Sequence, residues 1–300
     1  MDRFSISQLQ QFSGIKSHTI RIWEQRYKAL TPSRSKGNTR FYDNGQLRRL
    51  LNIVSLMNTD YKLSELCTMP DEKLFTILRE LQLKNLSPDS QSEFYISQLI
   101  AAGLSFDEEY FKTILSGVIE NAGIKEAYIH VIYPMIERVG LMWANNSIPP
   151  AQEHFMSNLI RQKFSAATEA LPAPTKKETW VLFLHENEYH EIGLLLSNYL
   201  IKEAGMKVIY LGANVPTETV INTVDYLSVD NLLFFLVHHD IPSDIQNFIS
   251  ELSKQFYKQK LFLSGDEKLI EQLIMPVNFS WLKNVDQLVN FLKEPNNNIN

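Results

Sequence analysis

Trp180-Val181-Leu182-Phe183-Leu184 is an unbroken apolar run, and Glu188-Tyr189-His190-Glu191-Ile192-Gly193 follows it just ahead of a long amphipathic stretch. The run reads as a strand of a parallel sheet, and the loop that leaves such a strand is where open α/β sheets hold ligands. An acid two residues ahead of a histidine orients the imidazole and tunes it as a metal ligand. His190 is therefore the first candidate binding residue, with Glu188 as its support. The bland alternative, an ordinary loop histidine, stays open on these residues alone.

Downstream, strands and helices alternate. Strands are expected at Trp180–Leu184, Lys207–Leu211, Asn231–Val237, Lys260–Leu263 and Phe279–Leu282, with helices at Ile192–Ala204, Thr217–Leu227, Ile241–Gln255, Glu267–Leu273 and Val285–Leu292. This is the pattern of a doubly wound, flavodoxin-like α/β domain over 178–294. No G-x-G-x-x-G follows the first strand, which leaves a dinucleotide reading without support. His190-Glu191 is not a zinc-protease motif, because Leu194 stands where the second histidine is needed. His238-His239-Asp240 carries little weight as a metal site, since adjacent histidines in a strand-end loop usually point apart.

Upstream, Leu171-Pro172-Ala173-Pro174-Thr175-Lys176-Lys177 is a proline-broken polar hinge. Residues 73–171 carry helical patterns at Asp71–Leu83, Ser90–Ala102, Asp107–Asn121, Ile124–Trp143 and Pro150–Ala170. Segments of this length suggest a connecting helix and a four-helix bundle. Trp143 and the pair Glu153-His154 lie in this region, where packing alone also accounts for a tryptophan.

Composition limits the possibilities. The 300 residues are 44% hydrophobic and 21% charged, as expected for a globular chain of two or three domains. No apolar stretch reaches the ~18 residues that cross a bilayer. The start, Met1-Asp2-Arg3-Phe4-Ser5, lacks the apolar core of a secretion signal, and the one cysteine, Cys67, excludes an internal disulfide. A cytoplasmic location is expected. The net charge of −5 hides an asymmetry: residues 1–60 hold ten Lys/Arg and four Asp/Glu, net +6, which leaves −11 for the remaining 240 residues. A basic head on an acidic body suggests that only the head meets a polyanion.

The head, residues 1–72, has a legible plan. Ile6, Leu9 and Phe12 recur at helical spacing after Ser5 or Ser7, both good N-caps, and Ser13-Gly14-Ile15 breaks the helix. A second helix from Ser17 through Tyr27 buries Ile20, Trp23 and Tyr27 and turns Thr19, Arg21 and Arg26 outward. Two short β segments around Lys36-Gly37-Asn38 make a basic wing, with Arg34 and Arg40 astride the DNA backbone and Tyr42 donating to phosphate. Asp43 caps a closing helix with Leu47, Leu50, Leu51 and Val54 inward.

Helix, turn, helix, basic wing and closing helix in this order resemble the MerR family of bacterial transcription regulators. The matching residues are Thr19-Ile20-Arg21-Ile22-Trp23-Glu24-Gln25-Arg26-Tyr27, Pro32 with Arg34, and Arg40-Phe41-Tyr42. The resemblance implies a winged helix-turn-helix that binds promoter DNA through Thr19, Arg21, Arg26, Arg34, Lys36, Arg40 and Tyr42. It also implies a homodimer or homotetramer, because one head contacts one half-site. No catalytic residues are expected.

The body resembles a second family. Glu188-x-His190-x-x-Gly193, with Leu211-Gly212-Ala213-Asn214-Val215-Pro216 behind it, is similar to the cobalamin-binding domain of methionine synthase and corrinoid carriers. There the histidine replaces the cofactor's own base beneath cobalt, which makes His190 the expected metal ligand and Gly193 the point of close backbone approach. Trp143, then nine residues, then Glu153-His154 reproduces a spacing found in cobalamin-dependent photoreceptor regulators of the MerR family. In those proteins these side chains, on a helical cap, cover the upper ligand of adenosylcobalamin or methylcobalamin.

The chain also departs from that pattern. Phe234-Phe235-Leu236-Val237 stands where the family usually has Ser or Thr beside the cofactor's buried tail, and a phenylalanine is bulky enough to fill the cavity the tail should occupy; Ser264-Gly265, also expected at the cofactor, replaces Gly-Gly, a milder change. Ala144 stands where some of these photoreceptors carry a histidine. The expected protein is a regulator that senses cobalamin and controls promoter binding through oligomerisation. The alternative is a regulator whose degenerate cobalamin fold binds no cofactor and serves as a contact platform. A corrinoid methyltransferase subunit would leave the basic head without purpose.

Overall fold

The computed structural model describes residues 3–35, 37–80, 88–144, 150–237 and 242–293, apart from the side chains of 44, 79, 80, 142–144 and 242–244. Lys36 and His238-His239-Asp240 lie outside the described residues, as does the side chain of Trp143. The chain forms two compact units, Met1–Leu159 and Ile160–Asn300.

The first unit opens with α1 (Ile6–Ser13), which Ser5 starts with a capping box. Its hydroxyl accepts from Gln8 N at 3.3 Å, while Gln8 Oε1 accepts from Ser5 N at 2.5 Å. Two of the four N–H groups orphaned at a helix start are thereby satisfied. Helix α2 (Ser17–Tyr27) follows, then the antiparallel pair β1 (Ser33–Arg34) and β2 (Arg40–Phe41), then α3 (Asn44–Leu56), which Asp43 caps. Leu9, Phe12, Ile20, Trp23, Leu47, Leu50 and Leu51 are buried, so the head has a core of its own.

A short helix not expected from periodicity, α4 (Leu63–Thr68), packs on α2 and α3, and α5 (Asp71–Glu80) packs on α3. Arg49 of α3 holds this corner. Its Nε donates to Ala29 O and its Nη2 to Cys67 O, both at 2.7 Å, and Nη1 pairs with Asp71. This cation is engaged inside the protein, so the charge count of the head overstates what it offers to DNA.

The helices α6 (Pro88–Leu104) and α7 (Glu108–Ala122) begin the bundle. The stretch expected as a single helix from 124 to 143 is three pieces: α8 (Ile124–Ala127), a π-helical turn (Tyr128–Ile132) and α9 (Tyr133–Ala144). A π turn adds a residue and so rotates all later faces by ~100°. The last helix, α10 (Pro150–Glu169), contains the boundary between the two units.

Head and bundle pack as one body. Helix α6 lies on α3, and α9 lies on α1. Gln98, almost fully buried on α6, donates to Ser55 Oγ of α3 at 2.8 Å and accepts from Tyr110 OH at 2.9 Å. Arg138 of α9 grips Glu93 with two N–H groups at 2.8 and 3.0 Å.

The second unit is built on a five-stranded, all-parallel sheet: β3 (Thr179–His185), β4 (Lys207–Val215), β5 (Asn231–Leu236), β6 (Lys260–Gly265) and β7 (Phe279–Trp281). The spatial order is β4-β3-β5-β6-β7, the flavodoxin-like order with its switch point between β3 and β5. Helices α11 (Ile192–Glu203), α12 (Thr217–Tyr226), α13 (Pro242–Gln255), α14 (Glu267–Ile270) and α15 (Val285–Lys293) link and follow the strands.

Apolar runs such as Val181–Leu184 and Leu232–Phe234 are fully buried, as strands covered on both faces require. Trp180 stacks on Phe262 and Phe183 on Phe234. Strand β4 runs four residues past the expected Leu211. Its register against β3 shifts between Leu182 and Phe183, and the bulge carries pairing on to Val215.

Candidate functional site

Two sites were expected, a DNA-binding surface in the head and a cofactor site with residues from Trp143 to Gly265. In the head, Arg21, Arg26 and Arg34 are exposed and Thr19 is half-buried. Arg34 Nη1 donates to Asn38 Oδ1 at 2.5 Å, bracing the wing tip. Arg40 is half-buried, and its Nε lies 3.3 Å from Glu24 Oε2.

Tyr42 corrects the sequence reading. It is 1% exposed and its hydroxyl donates to the buried carboxylate of Glu24, so it does not face a phosphate. Burial first, then the hydrogen bond and charge of Glu24, push the phenol well above its ordinary value, with Arg40 and Arg21 pulling the other way. The physical reason is position. Tyr42 bridges to Phe4 through paired backbone bonds of 2.7 and 2.8 Å, which turn its ring into the head's core. Glu24, which sequence reasoning passed over, thus ties the second helix to the wing through both Arg40 and Tyr42.

In the α/β unit, Glu188 is fully buried and organises the loop after β3. Its Oε1 accepts from Tyr189 N at 2.9 Å, His190 N at 3.0 Å and His190 Nδ1 at 2.6 Å. Its Oε2 accepts from Val237 N, at the end of β5, at 3.0 Å. A buried carboxylate is tolerated only with such a set of donors. Asn214 on β4 completes the support: its N donates to Glu188 O at 3.1 Å and its Oδ1 accepts from Asn187 N at 2.9 Å. The His190 side chain is 57% exposed, with Nδ1 fixed by Glu188. With Nδ1 held by Glu188, a metal would be bound through Nε2.

The neighbouring Glu191 pairs with Arg161 of α10 at 2.9 Å and accepts from Tyr210 OH at 3.4 Å. Burial first, and then Glu191, push the Tyr210 phenol upward.

Gly193 has a neighbour that periodicity did not reveal. A Cβ built on it would stand 2.8 Å from Cε1 of Phe235, closer than real carbons approach. The ring of Phe235 therefore lies against the Gly193 backbone, at the crevice between β3 and β5. Phe234, its neighbour in sequence, is fully buried among Phe183, Phe248 and Phe279.

Ser264 and Gly265 have structural reasons of their own. Ser264 Oγ donates to Leu282 O at 2.8 Å. Gly265 has φ +136°, and a Cβ there would stand 1.9 Å from Leu236 O. In the first unit, His154 is exposed with Nδ1 2.8 Å from Glu153 Oε2, and Trp143 lies at the end of α9. Among the described residues no three His, Cys, Asp or Glu side chains converge as a metal-holding group, and no helix is long and apolar enough to cross a membrane.

Known families match two stretches of the chain, the head and the helical bundle. Residues 4–71 match the MerR HTH family regulatory proteins, and residues 95–168, the helices α6 to α10, match a B12 binding domain. The chain thus holds a MerR-type helix-turn-helix domain at residues 4–71 and, at 95–168, a segment that matches a B12 binding domain. Among curated relatives, the HTH-type transcriptional repressor CarH of Myxococcus xanthus is 25% identical over 244 residues, 81% of this chain and 81% of that protein. The HTH-type transcriptional repressor CarA of the same organism is 25% identical over 259 residues, 82% and 81% of the two chains. The solved monomethylamine corrinoid protein of Methanosarcina barkeri aligns at a TM-score of 0.49 and 13% identity, over 64% of this chain and 94% of its own.

Proposed function

We propose that this chain is a transcription regulator that binds promoter DNA through its head and senses cobalamin through its C-terminal part. The observation that carries the reading is the Glu188–His190 pair. A buried carboxylate fixes one ring nitrogen of a half-exposed histidine at the ligand-binding edge of a parallel sheet. The donor suits cobalt, for which a neutral imidazole is a fitting ligand. His190 would hold the metal, Glu188 would fix the tautomer, and Glu153 and His154, with Trp143, would shield an upper ligand.

A bound alkylcobalamin supplies a light-breakable carbon–cobalt bond, and a response to light belongs to this reading. Residue 144 is alanine and would offer no imidazole to a bound corrinoid. Ligand binding would act on promoter occupancy by favouring one assembly of protomers over another, which requires unequal affinity for the two. The CarH and CarA relatives, named as transcriptional repressors, support a regulatory and non-enzymatic role in the cytoplasm.

The test is reconstitution of the full chain with adenosylcobalamin, followed by gel filtration and absorbance. Retained cofactor in the parent, lost in His190→Ala, is the expected result. Equal retention by both would remove His190 from the ligand role.

A second reading is favoured by one observation, the ring of Phe235 against Gly193. Under it the fold binds no corrinoid and serves as an oligomerisation or protein-contact platform. Absence of uptake by the parent protein and by a variant relieved at Phe235 would establish that reading.

A further inference from the structure

We propose that Phe235 sets the ligand preference of the His190 site: a corrinoid without the lower nucleotide binds more tightly than complete cobalamin, which is still taken up. The inference rests on the sensor reading above and deepens it.

Open parallel sheets take their ligands in the crevice where strand order reverses. Here that crevice lies between the ends of β3 and β5. Two of this chain's own groups already cross it. Val237 N donates to Glu188 Oε2 at 3.0 Å, and the Phe235 ring lies on Gly193, with Cε1, Cδ1 and Cζ at 2.8, 3.3 and 3.4 Å from an ideal Cβ there. The absent side chain at residue 193 thus admits a ring from β5.

The nucleotide of a cobalamin hangs from the lower face of the corrin, the face that an imidazole at cobalt occupies. When His190 takes that position, the displaced base must be housed on the protein's side of the ring. The Phe235 ring takes the space beside the histidine loop where it meets Gly193. Moving a packed aromatic ring forfeits its contacts and forces neighbours off their rotamers. A corrinoid that ends before the nucleotide makes no such demand.

The experiment is an absorbance titration of the full chain with aquocobinamide and, separately, with hydroxocobalamin. Parent, Phe235→Ala, Phe235→Leu and His190→Ala proteins are compared. The expected result is that the parent takes cobinamide on the order of tenfold or more tighter than cobalamin. The cobalt bands should shift in the parent and not in His190→Ala. Phe235→Ala should narrow the gap by gaining cobalamin, and its retained cobinamide binding would show that it folds; Phe235→Leu should lie between. Equal affinities in the parent, unchanged by either Phe235 substitution, would overturn the role of Phe235 and leave the sensor reading standing. No binding of either corrinoid, by the parent or by Phe235→Ala, would sink both.

Discussion

Arg138 Nη1 of α9 donates to the carbonyl of Phe12 in the last turn of α1, at 3.2 Å, while the same guanidinium holds Glu93 of α6. One side chain of the bundle thus fills an acceptor at the end of the first head helix, where carbonyls lack intrahelical partners. Removing it in Arg138→Ala should cost about 1–3 kcal/mol, as expected for hydrogen bonds to a charged group. Urea denaturation would read the change. Arg138→Lys should recover little, because an ammonium does not reproduce the fork. An unchanged midpoint in the alanine variant would show that the contact carries no stability.

The placement of Tyr42 separates structural from DNA-contacting residues in the head. Tyr42→Phe removes a buried donor to Glu24 and should destabilise the head by about 1–2 kcal/mol. It should leave the slope of log affinity against log salt unchanged. Arg21→Ala, Arg26→Ala and Arg34→Ala, all at exposed positions, should each reduce that slope by roughly 1. A reduced slope in Tyr42→Phe would restore the phosphate contact that burial excludes.

Glu188 and His190 should differ in what they cost. Glu188→Ala deprives Val237 N, Tyr189 N and His190 N of their acceptor, at about 1–3 kcal/mol for each donor that stays buried. His190→Ala removes one bond from a half-exposed ring and should cost about 1 kcal/mol or less. Thermal melts of the two variants without cofactor would test the ordering. A histidine variant as unstable as the glutamate variant would contradict it.

Cys67 provides a pH prediction. Burial pushes its thiol up to about 11, with Arg49 pulling the other way. In the unfolded chain the thiol titrates at roughly 8.5, so the unfolded state loses its proton first as pH rises. The stability held by the folded thiol is therefore fully present below about 8.5 and is lost as pH climbs towards 11. Cys67→Ser should flatten this part of the stability profile. In the folded protein at pH 8 the thiol should resist iodoacetamide; fast alkylation without denaturant would show that it is not protected.

Much of this protein was legible in its residues. Apolar runs of strand length separated by amphipathic helices led to the parallel sheet, since a strand covered on both faces has no polar side to show. Ser5, Asp43 and the spacing of Ile20 and Trp23 marked the head, because capping and helical periodicity act over a few residues. Glu188 and His190 were found together because their hydrogen bond spans only two positions in sequence.

What sequence could not show is where side chains distant along the chain meet. Tyr42 looked suited to phosphate until its backbone bridge to Phe4 turned it inward. Arg40 and Arg49 counted as surface charge until Glu24 and Asp71 engaged them. Gly193 read as room for a ligand and Phe235 as bulk beside the cofactor's tail, and only the neighbouring strand reveals that this ring lies on Gly193. Local order follows from nearby residues, whose preferences are set by sterics and capping. Occupancy of a crevice is decided by packing, and packing exists only once the strands have been brought side by side.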